Sequence, residues 1–177
     1  MHYQAERTNR CRISDSWTYR NLKTAILENE LLRVVVLVDK GADIYQLIHK
    51  QSDTDFLFRS PWGVRDPSKF IPTTGWPAGK WLDVYEGGWQ SMFPAAGFPS
   101  NHNGAELGIH AEVNTMPWDC EITEDTPDQV SLRCWVKGVR MPFSGEKTLT
   151  LKSNSPILHI KETITNEGEE PEMCVWG

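Results

Sequence analysis

Between Glu86 and Val113 the chain reads EGGWQSMFPAAGFPSNHNGAELGIHAEV, and there two histidines, His102 and His110, stand close to two carboxylates, Glu106 and Glu112. Imidazoles and carboxylates at short spacing can hold a divalent metal, or exchange protons with a bound hydroxyl compound near neutral pH. A metal centre on residues 102, 106 and 110 needs all three on one helix face. Asn103-Gly104 and Gly108 work against a helix, and the His-x-His pairing usual in metal-binding β-barrels is absent. The expectation is therefore no metal. No other cofactor is expected either: there is no glycine-rich phosphate loop ahead of a helix and no G-x-S-x-G elbow. On an extended strand, residues 110 and 112 would point to one side, so His110 and Glu112 could act as an acid–base pair on hydroxyls. A structural His–Glu pair has the same spacing.

The elements that must position these groups are strands. Thr24–Glu28 and Leu31–Asp39 are β-rich and separated by the turn pair Asn29-Glu30. Arg33–Val38 is nearly all apolar, as for a strand buried on both faces. Ala42–Lys50 follows, then a short apolar strand at Phe56–Phe58. Beyond Pro117, strands are expected at Trp118–Glu124, Gln129–Lys137, Lys147–Lys152 and Ile157–Thr165, the last two split by Ser153-Asn154-Ser155-Pro156. Arg59–Tyr85 carries too many prolines and glycines for a helix or central strand, and no helix is expected anywhere. Residues 1–20 read as a lead-in with at most a short edge strand near Arg12 and Ile13. Strands at regular spacing with Gly, Pro and Asn turns predict one all-β domain over residues 1–177, an antiparallel β-sandwich.

A net charge of −6 with no basic stripe argues against nucleic acid as the main partner, and none is expected. No apolar run approaches the roughly 18 residues of a membrane span, so no membrane partner is expected. The polar N-terminus does not read as a signal peptide, and the dispersed Cys11, Cys120, Cys134 and Cys174 read as reduced thiols, so the cytoplasm is the expected compartment. Eight tryptophans are more than a core of this size needs. Aromatic rings in loops commonly line concave ligand sites, and an apolar ring suits the C–H face of a sugar.

Five segments in order, ENELLRVVVLVDKGADIYQLIHK (28–50), DFLFRSPWGVR (55–65), GGWQSMFPAAG (87–97), GAELGIHAEVNTMPWDCEI (104–122) and LTLKSNSPILHIKETITNEGEEPEMCVWG (149–177), resemble the aldose 1-epimerase family, the galactose-mutarotase-like proteins, and especially their uncharacterised mutarotase-like branch. The resemblance implies a large sandwich with a sugar cleft, and a reaction in which one histidine protonates the ring oxygen while a glutamate deprotonates the anomeric hydroxyl. It implies that His110 is the family's first histidine, the catalytic candidate. Gln90 and Phe93 would line the cleft, and Arg65 would contact a hydroxyl. Glu112, Trp62 and His102 complete the expected substrate-binding set. The family's second histidine and its glutamate would fall beyond Gly177, so this chain is expected to carry the sugar-binding portion without the full acid–base pair. The implied partner is a small sugar or sugar derivative, with self-association through an open sheet edge. A non-catalytic carbohydrate-binding or regulatory sandwich is the competing class, and a metal-dependent β-barrel enzyme the third.

Overall fold

The computed structural model describes residues 10–69 and 71–177. Two antiparallel meanders make up the frame. The first comprises β1 (Arg12–Tyr19), β2 (Leu22–Glu28), β3 (Leu32–Leu37), β4 (Asp43–His49) and β5 (Thr54–Asp55), neighbours in that order. After the helix α1 (Pro77–Val84) and the hairpin β6 (Ser100–His102) and β7 (Ala105–Leu107), the second meander follows: β8 (Asp119–Asp125), β9 (Gln129–Lys137), β10 (Phe143–Lys152) and β11 (Leu158–Asn166).

Period-two alternation decides what each sheet buries. Val34 and Val36 of β3 join Ala25 and Leu27 of β2 in a cluster shared with Val130, Leu132, Leu149 and Leu151 of β9 and β10. The sheets therefore pack face to face, and the protein is an all-β sandwich. Val35 and Leu37 project to the opposite side and are buried with Leu22, Tyr45 and Val64. Thus β3 is covered on both faces, as its apolar run requires. Among the described residues β11 is an outer strand of its sheet, with β10 on one side only.

One corner joins the two meanders directly. Asn29 is buried, and its Nδ2 donates to the carbonyls of Lys152 and Ser155, both at 2.7 Å. Its Oδ1 accepts from the amides of Leu31 and Leu32 at 2.9 and 2.7 Å. Glu30 adds bonds from Ser153 Oγ and Asn154 N at 2.7 and 2.9 Å. The two turns that the sequence predicts are docked on each other.

Three expectations need correction. A helix does form, at Pro77–Val84. Pro77 sits at its start, where the missing N–H has no intrahelical carbonyl to meet, so a proline-rich stretch tolerates one short helix. The edge strand near Arg12 extends through Tyr19, with half-exposed and exposed residues whose polar side chains hid it. The short strand expected at Phe56–Phe58 is instead Thr54–Asp55. Residues 1–9 of the expected lead-in lie outside the described residues. Among the described residues no helix is long and apolar enough to cross a membrane.

Candidate functional site

The Gly87-Gly88-Trp89 segment is stitched between two other pieces of backbone. Gly88 N donates to Phe58 O at 2.8 Å, and Trp89 and Ile44 exchange both backbone bonds at 2.9 and 3.0 Å. Such close approach explains both glycines. A Cβ on Gly87 would lie 2.2 Å from Phe58 O, and one on Gly88 2.7 Å from Ile44 O, and both residues have positive φ. The stitching delivers Trp89, Gln90 and Ser91 in sequence to the mouth of an open cleft of about 390 Å³.

Trp89 and Trp176 stand at this cleft with 52% and 58% of their surface exposed, while Ile44 and Ile160 supply apolar floor. Trp176 is held there because the neighbouring backbone pairs with 92–94: Met92 and Gly177 exchange bonds at 2.8 and 3.1 Å, and Val175 N donates to Pro94 O at 2.7 Å. Between the indoles lies a polar floor. Lys147, 2% exposed, donates through Nζ to Ala42 O at 3.0 Å and Ser91 Oγ at 2.9 Å, and lies 3.8 Å from Glu162 Oε1. Ser91 Oγ in turn donates to Glu162 Oε1 at 2.7 Å. A buried ammonium needs such partners to stay charged.

Gln90 links this floor to a second buried group. Its Nε2 donates to Asp43 Oδ2 at 2.9 Å, and Lys40 Nζ donates to the same oxygen at 3.1 Å and to Glu86 Oε1 at 3.0 Å. Burial pushes the Glu86 carboxyl up to about 8; Lys40 pulls against this and Asp43 adds to it. Glu86 therefore holds its proton to higher pH than an ordinary carboxyl. Burial opposes charge on Lys40, but Asp43 and Glu86 outweigh it and raise its pKa. Gln90 Oε1 is buried without a hydrogen-bond partner, although Gln90 lines the cleft. Two exposed indoles beside a carboxylate and a hydroxyl suit a ligand with hydroxyl groups and an apolar face.

The residues expected from the sequence are divided among several places. Gln90 is in the cleft wall. Phe93 is 3% exposed, its ring edge-on to Phe143 at 5.0 Å in the core. It does not line the main cleft, although it borders a small adjoining pocket with Ser91 and Glu162. Glu112 is 4% exposed and accepts the amides of Val139, Arg140 and Met141. His110 lies in a turn, not a strand, with φ of 53°, and the Ala111-Glu112 peptide is cis. At that positive φ the strand geometry that would put His110 and Glu112 on one side is absent.

His110 instead meets the edge of Trp81 at 4.8 Å between ring centroids. Trp81 stacks on Tyr85 at 4.6 Å, and Trp62 Nε1 donates to Tyr85 O at 2.9 Å. His110 thus joins the aromatic pair Trp81–Tyr85, to which Trp62 is tied through the Tyr85 backbone carbonyl. His102 is on β6 with Nε2 2.7 Å from Glu172 Oε2. Arg65 is exposed in the loop before α1. With Glu112 taken by amides and His102 by Glu172, the four-residue metal set does not assemble. Among the described residues no group of three or more His, Cys, Asp or Glu could hold a metal.

Lys147, Ser91, Glu162 and the Lys40–Asp43–Glu86 group were not singled out from sequence. A signal existed for two of them. Lys147 is in phase with Leu149 and Leu151, and Glu162 with Leu158, Ile160 and Ile164, so each puts a charge on an apolar face.

No protein-family model and no curated protein matches the chain. Among solved structures, a TPR-domain containing protein from Parabacteroides distasonis superposes with a TM-score of 0.50 at 17% identity, over 84% of this chain and 22% of that one. The crystal structure of HI1317 gives 0.47 at 14% identity, over 90% of this chain and 52% of that one. The chain thus spans well under two thirds of either protein's length, and the first likeness shows a shared β fold alone.

Proposed function

We propose that this chain is the carbohydrate-binding portion of an aldose 1-epimerase-like protein, taking a small sugar or sugar derivative in the cleft between Trp89 and Trp176. The observation that carries the reading is the pairing of two half-exposed indoles with a hydrogen-bonding floor of Gln90, Ser91, Lys147 and Glu162. Indole faces cover the C–H side of a pyranose, while fixed acceptors receive its hydroxyls. The resemblance of the GGWQ and GIHAE segments to mutarotases points to the same ligand class.

A second reading, binding without catalysis, draws on Glu112. Its carboxylate is occupied by three backbone amides and does not stand beside His110 as an acid–base partner. On that geometry the chain by itself holds sugar without interconverting anomers.

Titration of tryptophan fluorescence with glucose, galactose and their methyl glycosides tests the binding. Saturable millimolar binding is expected, weakened about fivefold or more, about 1 kcal/mol, by Trp89→Ala or Trp176→Ala. Absence of saturation with every sugar up to roughly 100 mM overturns it. Polarimetry of fresh α-glucose and α-galactose tests catalysis. Mutarotation at the buffer rate is expected; a faster rate that His110→Ala abolishes overturns the non-catalytic reading.

A further inference from the structure

Four side chains form a row across the second sheet. Cys120 of β8 is in register with Cys134 of β9, Cys134 with Lys147 of β10, and Lys147 with Glu162 of β11. Directly opposed residues on antiparallel neighbours project to the same face. Accordingly Cys134 and Lys147 are buried, and Cys120 is half-buried against the same core. One end of the row is the cleft floor. The other is a pair of opposed thiols, neither of which is in a disulfide.

We propose that Cys120 and Cys134 are a redox modification site, closing to a cross-strand disulfide one strand away from Lys147. Opposed residues of an antiparallel pair have Cα atoms about 4.5–5.5 Å apart, inside the about 4.4–6.8 Å that a disulfide spans. Closure therefore asks for side-chain rotation and not for separation of β8 from β9. The inference does not depend on the ligand of the cleft.

The oxidant is a low-molecular-weight disulfide, RSSR. Cys120 is the less buried member of the pair, and its thiolate attacks one sulfur of RSSR. A Cys120–S–S–R bond forms, and RS⁻ leaves and takes up the proton that Cys120 released. Cys134 then loses its proton to solvent base, and its thiolate attacks Cys120 Sγ. That step forms the protein disulfide and expels a second RS⁻, which is protonated in turn. Two protein thiols are oxidised by two electrons, and RSSR is reduced to two RSH.

The surroundings set the order of the steps. Burial raises the Cys120 thiol and Asp15 and Asp39 add to it, while the nearby Lys23 ammonium pulls the other way and favours the thiolate. Burial pushes Cys134 up to about 12, with the Lys147 ammonium pulling against it. Attack at Cys120 comes first, and ring closure by Cys134 is the slow step.

The test uses the whole chain carrying Cys174→Ser, because Cys174 is exposed and competes for the oxidant. The protein is incubated with oxidised glutathione at mildly alkaline pH, quenched by alkylation, and analysed by intact mass and unreduced peptide mapping. A single glutathione adduct on Cys120 is expected first, then a species two hydrogens lighter than the reduced protein, with the Cys120 and Cys134 peptides joined. Adding Cys134→Ser is expected to stop the reaction at the stable adduct, and adding Cys120→Ser to prevent it. Circular dichroism reports whether the fold persists throughout. A lasting Cys120 adduct without closure, no reaction at Cys120, or a link formed only in denaturant overturns the proposal.

Discussion

Removing the Glu112 carboxylate distinguishes a loop anchor from a ligand contact. Oε1 accepts from Val139 N at 3.0 Å and Arg140 N at 3.1 Å, with Met141 N at 3.4 Å, and Oε2 accepts from Arg140 N at 3.1 Å. Hydrogen bonds to a charged acceptor contribute about 1.5–3 kcal/mol each, and two of these amides are well placed. The Met141 contact is long and adds little. The Arg140 guanidinium lies 3.8 Å away on a side chain 54% exposed, which limits that ion pair to less than about 1 kcal/mol. Val139 is 76% exposed, so water reaches the loop and rehydrates part of what alanine frees. Together these place Glu112→Ala at about 2–4 kcal/mol and Glu112→Gln, which keeps one carbonyl acceptor, at about 1–2 kcal/mol. With a urea slope near 2 kcal/mol/M, the alanine midpoint falls by about 1–2 M. The assay is urea denaturation by circular dichroism, with sugar titration of the folded protein below the transition. Stability should fall while affinity changes by less than about twofold. An unchanged midpoint, or a tenfold loss of affinity at constant midpoint, would falsify the anchor role.

Two further outcomes follow from buried groups and close contacts. Glu86 is raised from 4.5 to about 8, so across that window the folded chain holds a proton that the unfolded chain releases, and stability declines as pH rises. Glu86→Gln removes this slope, so its stability relative to wild type should climb between about pH 5 and 8; a pH-independent difference in urea midpoints contradicts the assignment. Gly87→Ala places a Cβ 2.2 Å from Phe58 O and 2.8 Å from Arg59 Cα at a φ of +93°. A loss above about 3 kcal/mol is expected in thermal unfolding, and a change under about 1 kcal/mol would mean the two segments are not so closely joined.

The frame was legible because the strands carry strict alternation. Gln129–Lys137 was bounded as it occurs, and Leu31–Asp39 contains β3 with one residue to spare before it and two after. The edge strand near Arg12 and Ile13 runs longer than the sequence suggests, because its outer part faces solvent and has little apolar face to display. Helix α1 was hidden by composition, since proline and glycine counts over a long loop say nothing about a two-turn helix that begins at Pro77. The site was legible only in part. GGWQ drew attention through its glycines, and Gln90 does line the cleft. His110 and Glu112 were joined by a spacing rule that holds only on a strand, and a positive φ breaks that rule. Lys147 and Glu162 come from strands distant in sequence from Ser91, and local spacing cannot bring them together.

The docked corner at Asn29 has a consequence for kinetics. Each meander is assembled from contacts close in sequence, but Asn29 reaches Lys152 across 123 positions. Closing so long a loop is entropically unfavourable until each sheet already exists. Bonds made after the rate-limiting barrier slow unfolding and leave refolding almost unchanged. In a stopped-flow chevron, Asn29→Ala should therefore raise the unfolding arm while the refolding arm stays near that of wild type; a slowed refolding arm would place the corner in the nucleus instead. On this view the junction of the two sheets acts as a latch set last, fixing the lifetime of the sandwich more than the speed of its formation.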